Sequence, residues 1–234
     1  MSGRKFAIVV AIEREVRPLL RNWRRRQADA DSGSSSRRLK VFESENAVLI
    51  IGGIGAKAAA RAARIVLDLG QASTLVSAGS AGALKPELKV GDVIRPGTVI
   101  NAATGKHFAA QGGTGTLVTA SEILGPGEKK KLAARFPADA VDMEAAAVAA
   151  FAQERGVEFM AIKSISDELD FALPPMGQFV DDEGQFHSRS FLGYMAVRPR
   201  WWRTVSRMAA DSWRAASALS AAIEVLETNV RSKP

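Results

Sequence analysis

The chain has 234 residues, 47 % hydrophobic and 24 % charged, which is the composition of a folded globular protein and excludes a disordered one. Lys and Arg exceed Asp and Glu by 32 to 25, a net charge of +7 that suits an anionic partner or plain solubility. There is no Cys and there are only 2 His, so disulfides, thiol nucleophiles, Cys-ligated zinc and iron–sulfur centres are excluded, and a His-rich metal centre has no donors beyond His107 and His187.

This length buries a sizeable core without staples, and a single domain over residues 1–234 is expected. No apolar run approaches the roughly 18 residues of a membrane-spanning helix. The opening MSGRK and the short apolar run after it mimic a signal peptide. Glu13, Arg14 and Glu15 follow at once with no small-residue cleavage site, so a buried first strand and a cytoplasmic protein are expected.

Residues 5–12 are continuous and β-branched, the pattern of a strand buried on both faces. Residues 13–26 read as a helix with Val16, Leu19 and Leu20 inward, and 27–38 as a polar loop. Strands follow at 39–43 and 46–52, joined at Glu45-Asn46. Gly52-Gly53-Ile54-Gly55 then opens an Ala-rich helix, 56–69. It matches the dinucleotide pattern G-x-G-x-x-A but lacks the acidic residue about 20 positions on, so a tight helix–sheet turn is the better reading.

A strand at 74–78 runs into the small-residue turn Gly79-Ser80-Ala81-Gly82. Residues 91–100 are strand-like and broken by Pro96, and 102–116 read as a hairpin or irregular excursion. A short helix is expected at 128–135, a strand at 138–141, a helix at 144–155 and a strand at 159–165. The tail, about 185–230, is helical and carries Trp201, Trp202 and Trp213 among arginines. It reads either as a helix burying a Trp stripe or as an element lying at a lipid headgroup layer. Alternating strands and helices define an α/β fold, a three-layer α/β/α sandwich around a mixed, largely parallel sheet.

In such sheets ligands bind beyond the carboxyl ends of strands. Those ends supply Glu13 and Glu15, the Gly79–Gly82 turn, Asp142 and Glu144, and Ser166 with Asp167. Carboxylates and hydroxyls without a cationic cage suit acid–base work on a neutral, hydroxyl-rich substrate. Cleavage of a ribosyl–base bond fits: the base needs a proton, the water needs a base, and the sugar hydroxyls need acceptors.

At these positions the sequence resembles the purine nucleoside phosphorylase/uridine phosphorylase superfamily, and within it the methylthioadenosine/adenosylhomocysteine nucleosidases. The resemblance runs over residues 5–170. It is carried by AIEREVRPLL (11–20), GGIGAKAAA (52–60), SAGSAGALKPELKVGDVI (77–94), AVDMEAAAVA (140–149) and IKSISDELD (162–170). It implies that Glu15 orients the attacking water and that Ser80, with Ala81 and Gly82, lies near the ribose. Met143 would pack under the sugar, Glu144 would bind its hydroxyls, Asp167 would protonate the purine and Ser166 would steady Asp167. A homodimer and a small-molecule nucleoside substrate are also implied, and no cofactor.

Several features depart from that pattern, and one is the segment after Val93, which is shorter than in these nucleosidases and lacks their acidic, His-containing stretch. Asp142 stands where these nucleosidases carry Glu, and Ile123 aligns with their base-stacking aromatic. The tail, through VRPRWWRTVSRMAADSWRA (197–215), is more similar to the hopanoid-associated branch, which cleaves adenine from a lipid-linked adenosyl group. The phosphorylases' phosphate-binding arginine aligns with Ser77, which favours water over phosphate as nucleophile. The alternatives are phosphorolytic or lipid-linked nucleoside cleavage, an inactive nucleoside binder, and a basic nucleic-acid module. The last lacks any reader motif.

Overall fold

The computed structural model describes residues 6–29 and 38–231. In chain order, β1 (Phe6–Val10) leads to two 3-10 turns (Glu13–Val16 and Leu19–Asn22), β2 (Arg24–Asp29), β3 (Arg38–Glu43) and β4 (Ala47–Ile51). Helix α1 (Ala56–Gly70) precedes β5 (Thr74–Ala83), β6 (Val93–Ile94), β7 (Thr98–Asn101), β8 (His107–Ala109) and β9 (Thr116–Thr119). Helix α2 (Pro126–Arg135), β10 (Ala140–Asp142), α3 (Ala145–Arg155), β11 (Glu158–Asp167), α4 (Ser188–Ala196) and α5 (Trp202–Arg231) complete it.

The strands form one mixed sheet in the order β2-β3-β4-β1-β5-β10-β9-β7-β8, with β11 paired to β5 and β6 to β11. Its centre is parallel: β1 runs beside β4 and β5, and β5 beside β11. Both faces are covered, with α1 and α3 on one side and α5 on the other. Strand β1 explains the three layers. Ala7 and Val9 enter the core under α1 and α3, whereas Phe6, Ile8 and Val10 enter the core that holds Leu219, Ile223 and Leu226 of α5. A strand buried on both faces cannot alternate apolar with polar, which is why its sequence is a continuous run.

Two expectations are corrected. Residues 13–26 are not one helix: Arg17 and Pro18 separate two 3-10 turns, and the arginines beyond Trp23 enter β2. There Arg24 and Arg26 meet Glu43 of β3 at 2.9 and 3.1 Å, a cross-strand pairing that helical periodicity does not anticipate. Of the expected loop at 27–38, residues 30–37 lie outside the described residues. Gly79–Gly82 is not a turn either. It continues β5 to Ala83, because β11 extends alongside it and pairs with it through Asp167.

The tail contains two helices. Residues before and within them form a separate apolar cluster of Met176, Phe179, Phe191 and Met195, against which Trp201, Val205 and Met208 pack. The Trp residues do not share one buried stripe, since Trp202 and Trp213 are 54 % and 51 % exposed.

Gly52 permits the close approach of α1 to the sheet. A Cβ there would stand 2.5 Å from the Cβ of Ala62. Gly52→Ala is therefore expected to lower stability by about 1–3 kcal/mol, the usual range for overpacking. Urea denaturation at constant m-value checks this.

Candidate active site

The carboxyl ends of β1, β5, β10 and β11 open into one cavity of about 180 Å³. All ten residues singled out from the sequence line it: Glu15, Ser80, Ala81, Gly82, Ile123, Asp142, Met143, Glu144, Ser166 and Asp167. Their separation in sequence, from 15 to 167, is closed by strand pairing, parallel for β1, β5 and β11 and antiparallel between β5 and β10.

Glu15 sits on the first 3-10 turn after β1 and is 8 % exposed. One carboxylate oxygen accepts the Ser80 N–H at 2.9 Å and the other accepts the Ile12 N–H at 3.1 Å. The carboxylate is thus held against the backbone of β5, facing the cavity.

Glu144 stands at the N-cap of α3. Its Oε1 accepts the Gly55 N–H at 2.8 Å, which ties the site to the glycine-rich turn before α1. Burial, followed by the negative charge of Asp142, pushes its carboxyl up to about 7, against the opposing influence of Lys163 and the Gly55 N–H.

Asp142, expected to meet substrate, is committed elsewhere. Its Oδ1 accepts the Thr119 hydroxyl at 2.7 Å, and its Oδ2 accepts the Ala145 N–H and the Lys163 ammonium, each at 2.8 Å. It caps α3 and anchors a buried cation, and its oxygens have little left for a ligand. Lys163 is 1 % exposed. Burial pulls its ammonium down, but the charges of Asp142, Glu144 and Glu15 outweigh that and hold it above its ordinary value.

Ser166 and Asp167 close β11 at a register shift between Ile165 and Asp167. Such a bulge re-aims successive side chains toward one side, here toward the cavity. The Ser166 hydroxyl donates to Asp167 Oδ1 at 2.7 Å. Asp167 Oδ2 is bonded by the ammonium of Lys129, from α2. Ile123 is half-buried and forms part of an apolar wall with Leu173 and Met176 from the segment after β11 and Met208 from α5.

Sequence reading missed Lys129, Lys163, Arg14 and the apolar wall of Leu173, Met176 and Met208. A charge inside the apolar strand Ala161-Ile162-Lys163-Ser164-Ile165 was a usable signal, because a buried ammonium requires a counter-charge. Lys129 lies in the run Glu128-Lys129-Lys130-Lys131, which gives no hint of which lysine turns inward. His187 lies outside the cavity, 3.0 Å from Asp181.

Residues 5–114 and 105–189 match the phosphorylase superfamily, and the chain belongs to it. It is 27 % identical over 198 residues to the 5'-methylthioadenosine/S-adenosylhomocysteine nucleosidase of Bacillus pumilus (strain SAFR-032), covering 70 % of this chain and 85 % of that one. The structure of the corresponding nucleosidase from Colwellia psychrerythraea 34H, in complex with adenine, superposes with a TM-score of 0.61 at 25 % identity, covering 72 % of this chain and 85 % of that one. The Helicobacter pylori nucleosidase shares the fold over 96 % of this chain and 99 % of its own, with a TM-score of 0.66 at 16 % identity.

The raised carboxyl of Glu144 has two measurable consequences. If Glu144 accepts substrate hydroxyls as a carboxylate, kcat/KM falls as pH drops through about 7, and Glu144→Gln lacks that limb. For folding, a carboxyl raised from 4.5 to about 7 binds its proton more tightly in the native state. Its stabilisation is complete below pH 4.5 and is lost as pH rises through about 7. Urea titrations of wild type and Glu144→Gln at pH 4.5 and 8 are therefore expected to show the wild type losing more stability across that interval.

Proposed function

We propose that this protein hydrolyses the N-glycosidic bond of an adenosine-type purine nucleoside and releases the base. The observation that carries this reading is the convergence of Glu15, Glu144 and Asp167 on one cavity with Ser80 and Ser166. The family membership and the nucleosidase relatives support it.

In this reading Asp167 passes a proton to a ring nitrogen of the departing purine, and Ser166 keeps its carboxyl oriented. The glycosidic electron pair leaves with the base, and the sugar carbon acquires oxocarbenium character. Glu15 orients water toward that carbon and takes up its proton. Glu144 accepts hydrogen bonds from the ribose hydroxyls, and Met143 packs under the ring. Ile123, Leu173, Met176 and Met208 clamp the apolar part of the ligand without an aromatic stack. No cofactor enters the scheme.

Asp167→Asn removes the acid while keeping the shape of the side chain, and its amide accepts at only one of the two positions that Ser166 and Lys129 occupy. Its kcat on methylthioadenosine is expected to fall ~10²–10⁴-fold, with a much smaller change in KM. Turnover near the wild-type value would refute the acid assignment.

Arg14 favours a second reading, phosphorolysis. It lines the cavity one residue before Glu15, where a guanidinium can hold phosphate, although Ser77 offers none. Assaying methylthioadenosine, adenosylhomocysteine, adenosine, inosine and a lipid-linked adenosyl compound with and without phosphate separates the two. Hydrolysis predicts free ribose sugar and no phosphate dependence, whereas phosphorolysis predicts the sugar 1-phosphate.

The tail supports a finer proposal, contact with an anionic lipid surface. Leu192, Val197 and Trp202 are 58 %, 74 % and 54 % exposed. Residues 184–210 carry five arginines and no acidic residue. No described helix is long and apolar enough to cross a membrane, so any contact would be interfacial. Co-sedimentation with phosphatidylglycerol vesicles but not phosphatidylcholine vesicles is expected, and is expected to weaken in Leu192→Ala/Trp202→Ala. Light scattering of the wild type and of Leu192→Ala/Trp202→Ala reads whether a second copy covers this surface instead, in which case the wild type is a dimer and the variant is shifted toward monomer.

A further inference from the structure

Lys129 is 1 % exposed, and a buried ammonium is costly unless it is fully paired. Its partners all belong to the end of β11. The ammonium donates to Asp167 Oδ2, to the Glu168 carbonyl at 2.9 Å and, more distantly, to the Asp167 carbonyl at 3.5 Å. Room for it comes from Gly82, where a Cβ would stand 2.9 Å from Lys129 Cε, 3.1 Å from its Nζ and 3.0 Å from Asp167 Oδ2. Of the two cations lining the cavity, Arg14 is exposed and Lys129 is enclosed.

Packing does not require a charge here. An apolar side chain of similar length would fill the space under α2 without desolvating an ion. The lysine instead supplies transferable protons at the one carboxyl group that the proposed reaction asks to give one up. Ser166 occupies the other oxygen, so Asp167 is presented with a donor on each side and a fixed orientation.

We propose that Lys129 is a positioning residue that holds Asp167 and reloads it with the proton delivered to the leaving base. The inference rests on the acid role of Asp167 proposed above and extends it. An N–H bond of the Lys129 ammonium breaks as an O–H bond forms on Asp167 Oδ2. That O–H breaks as the base nitrogen gains its proton, and the electron pair of the C–N glycosidic bond leaves on the base. Lys129 remains as a neutral amine until water reprotonates it after the base has left. Net proton balance is kept, because the attacking water gives up one proton through Glu15.

A residue that serves only to pack α2 slows every substrate alike, whereas a proton supply matters only when the leaving group needs a proton. The test compares methylthioadenosine with the 5'-methylthio riboside of 4-nitrophenol, which has the same sugar and leaves as a stable anion. Lys129→Met is expected to lose ~10²-fold or more in kcat on methylthioadenosine, the scale of a positioned proton donor, and to stay within about threefold on the nitrophenyl riboside. Lys129→Arg keeps the charge, but a guanidinium does not give up its proton, so it is expected to stay selectively impaired on methylthioadenosine, and full recovery with arginine overturns the proton-supply role. Equal losses on both substrates, or no loss on methylthioadenosine, overturn the proposal. If the methionine variant melts too early to assay, Lys129→Gln is judged by the same criteria. Asp167→Asn is measured in parallel. Should its loss be indifferent to the leaving group, the acid role of Asp167 itself fails; should it be selective while Lys129→Met is not, only the role of Lys129 fails.

Discussion

Carboxylates cannot be gathered in a small, largely enclosed cavity without a cation to hold them there. Glu15, Asp142 and Glu144 all act on the charge of Lys163, which is itself almost wholly removed from water. The lysine is bonded to Asp142, Asp142 accepts the N–H of the first residue of α3, and Glu144 at the N-cap of that helix reaches the Gly55 N–H. Removing this cation would leave like charges facing each other at low dielectric, a penalty of several kcal/mol in comparable settings. The position of Glu144 and the packing of α3 on the sheet therefore share one electrostatic support.

The second support is the pairing of β5 with β11. Extended side by side past the point where a turn was expected, they bring Ser80, Ala81 and Gly82 opposite Ser164, Ile165 and Asp167. The register shift near Ser166 lets neighbouring residues on one strand work together, so that a hydroxyl steadies the carboxyl beside it. A regular strand would have sent one of them to the opposite face.

Beyond these strands the cavity is finished by segments that contribute shape more than chemistry. Leu173, Met176 and Met208 come from the region after β11, and they belong to the same apolar cluster as Phe179, Phe191 and Met195. The ligand wall and the packing of α4 against α5 are thus parts of one small core.

The sequence by itself determined the alternation of strands and helices, the doubly buried first strand, and the ordered acids and hydroxyls at strand ends. These depend on local periodicity and on the short-range rule that strand ends face ligands. It did not determine that residues 13–26 break into 3-10 turns and a strand, because Arg24 and Arg26 answer to Glu43 on another strand. Nor did it show that the oxygens of Asp142 are held by Thr119, Ala145 and Lys163, or that Lys129 lies against Asp167 while Lys130 and Lys131 do not. Those facts belong to the tertiary structure alone. The partner of a buried charge is chosen by packing between elements distant in sequence, and no local pattern encodes that choice.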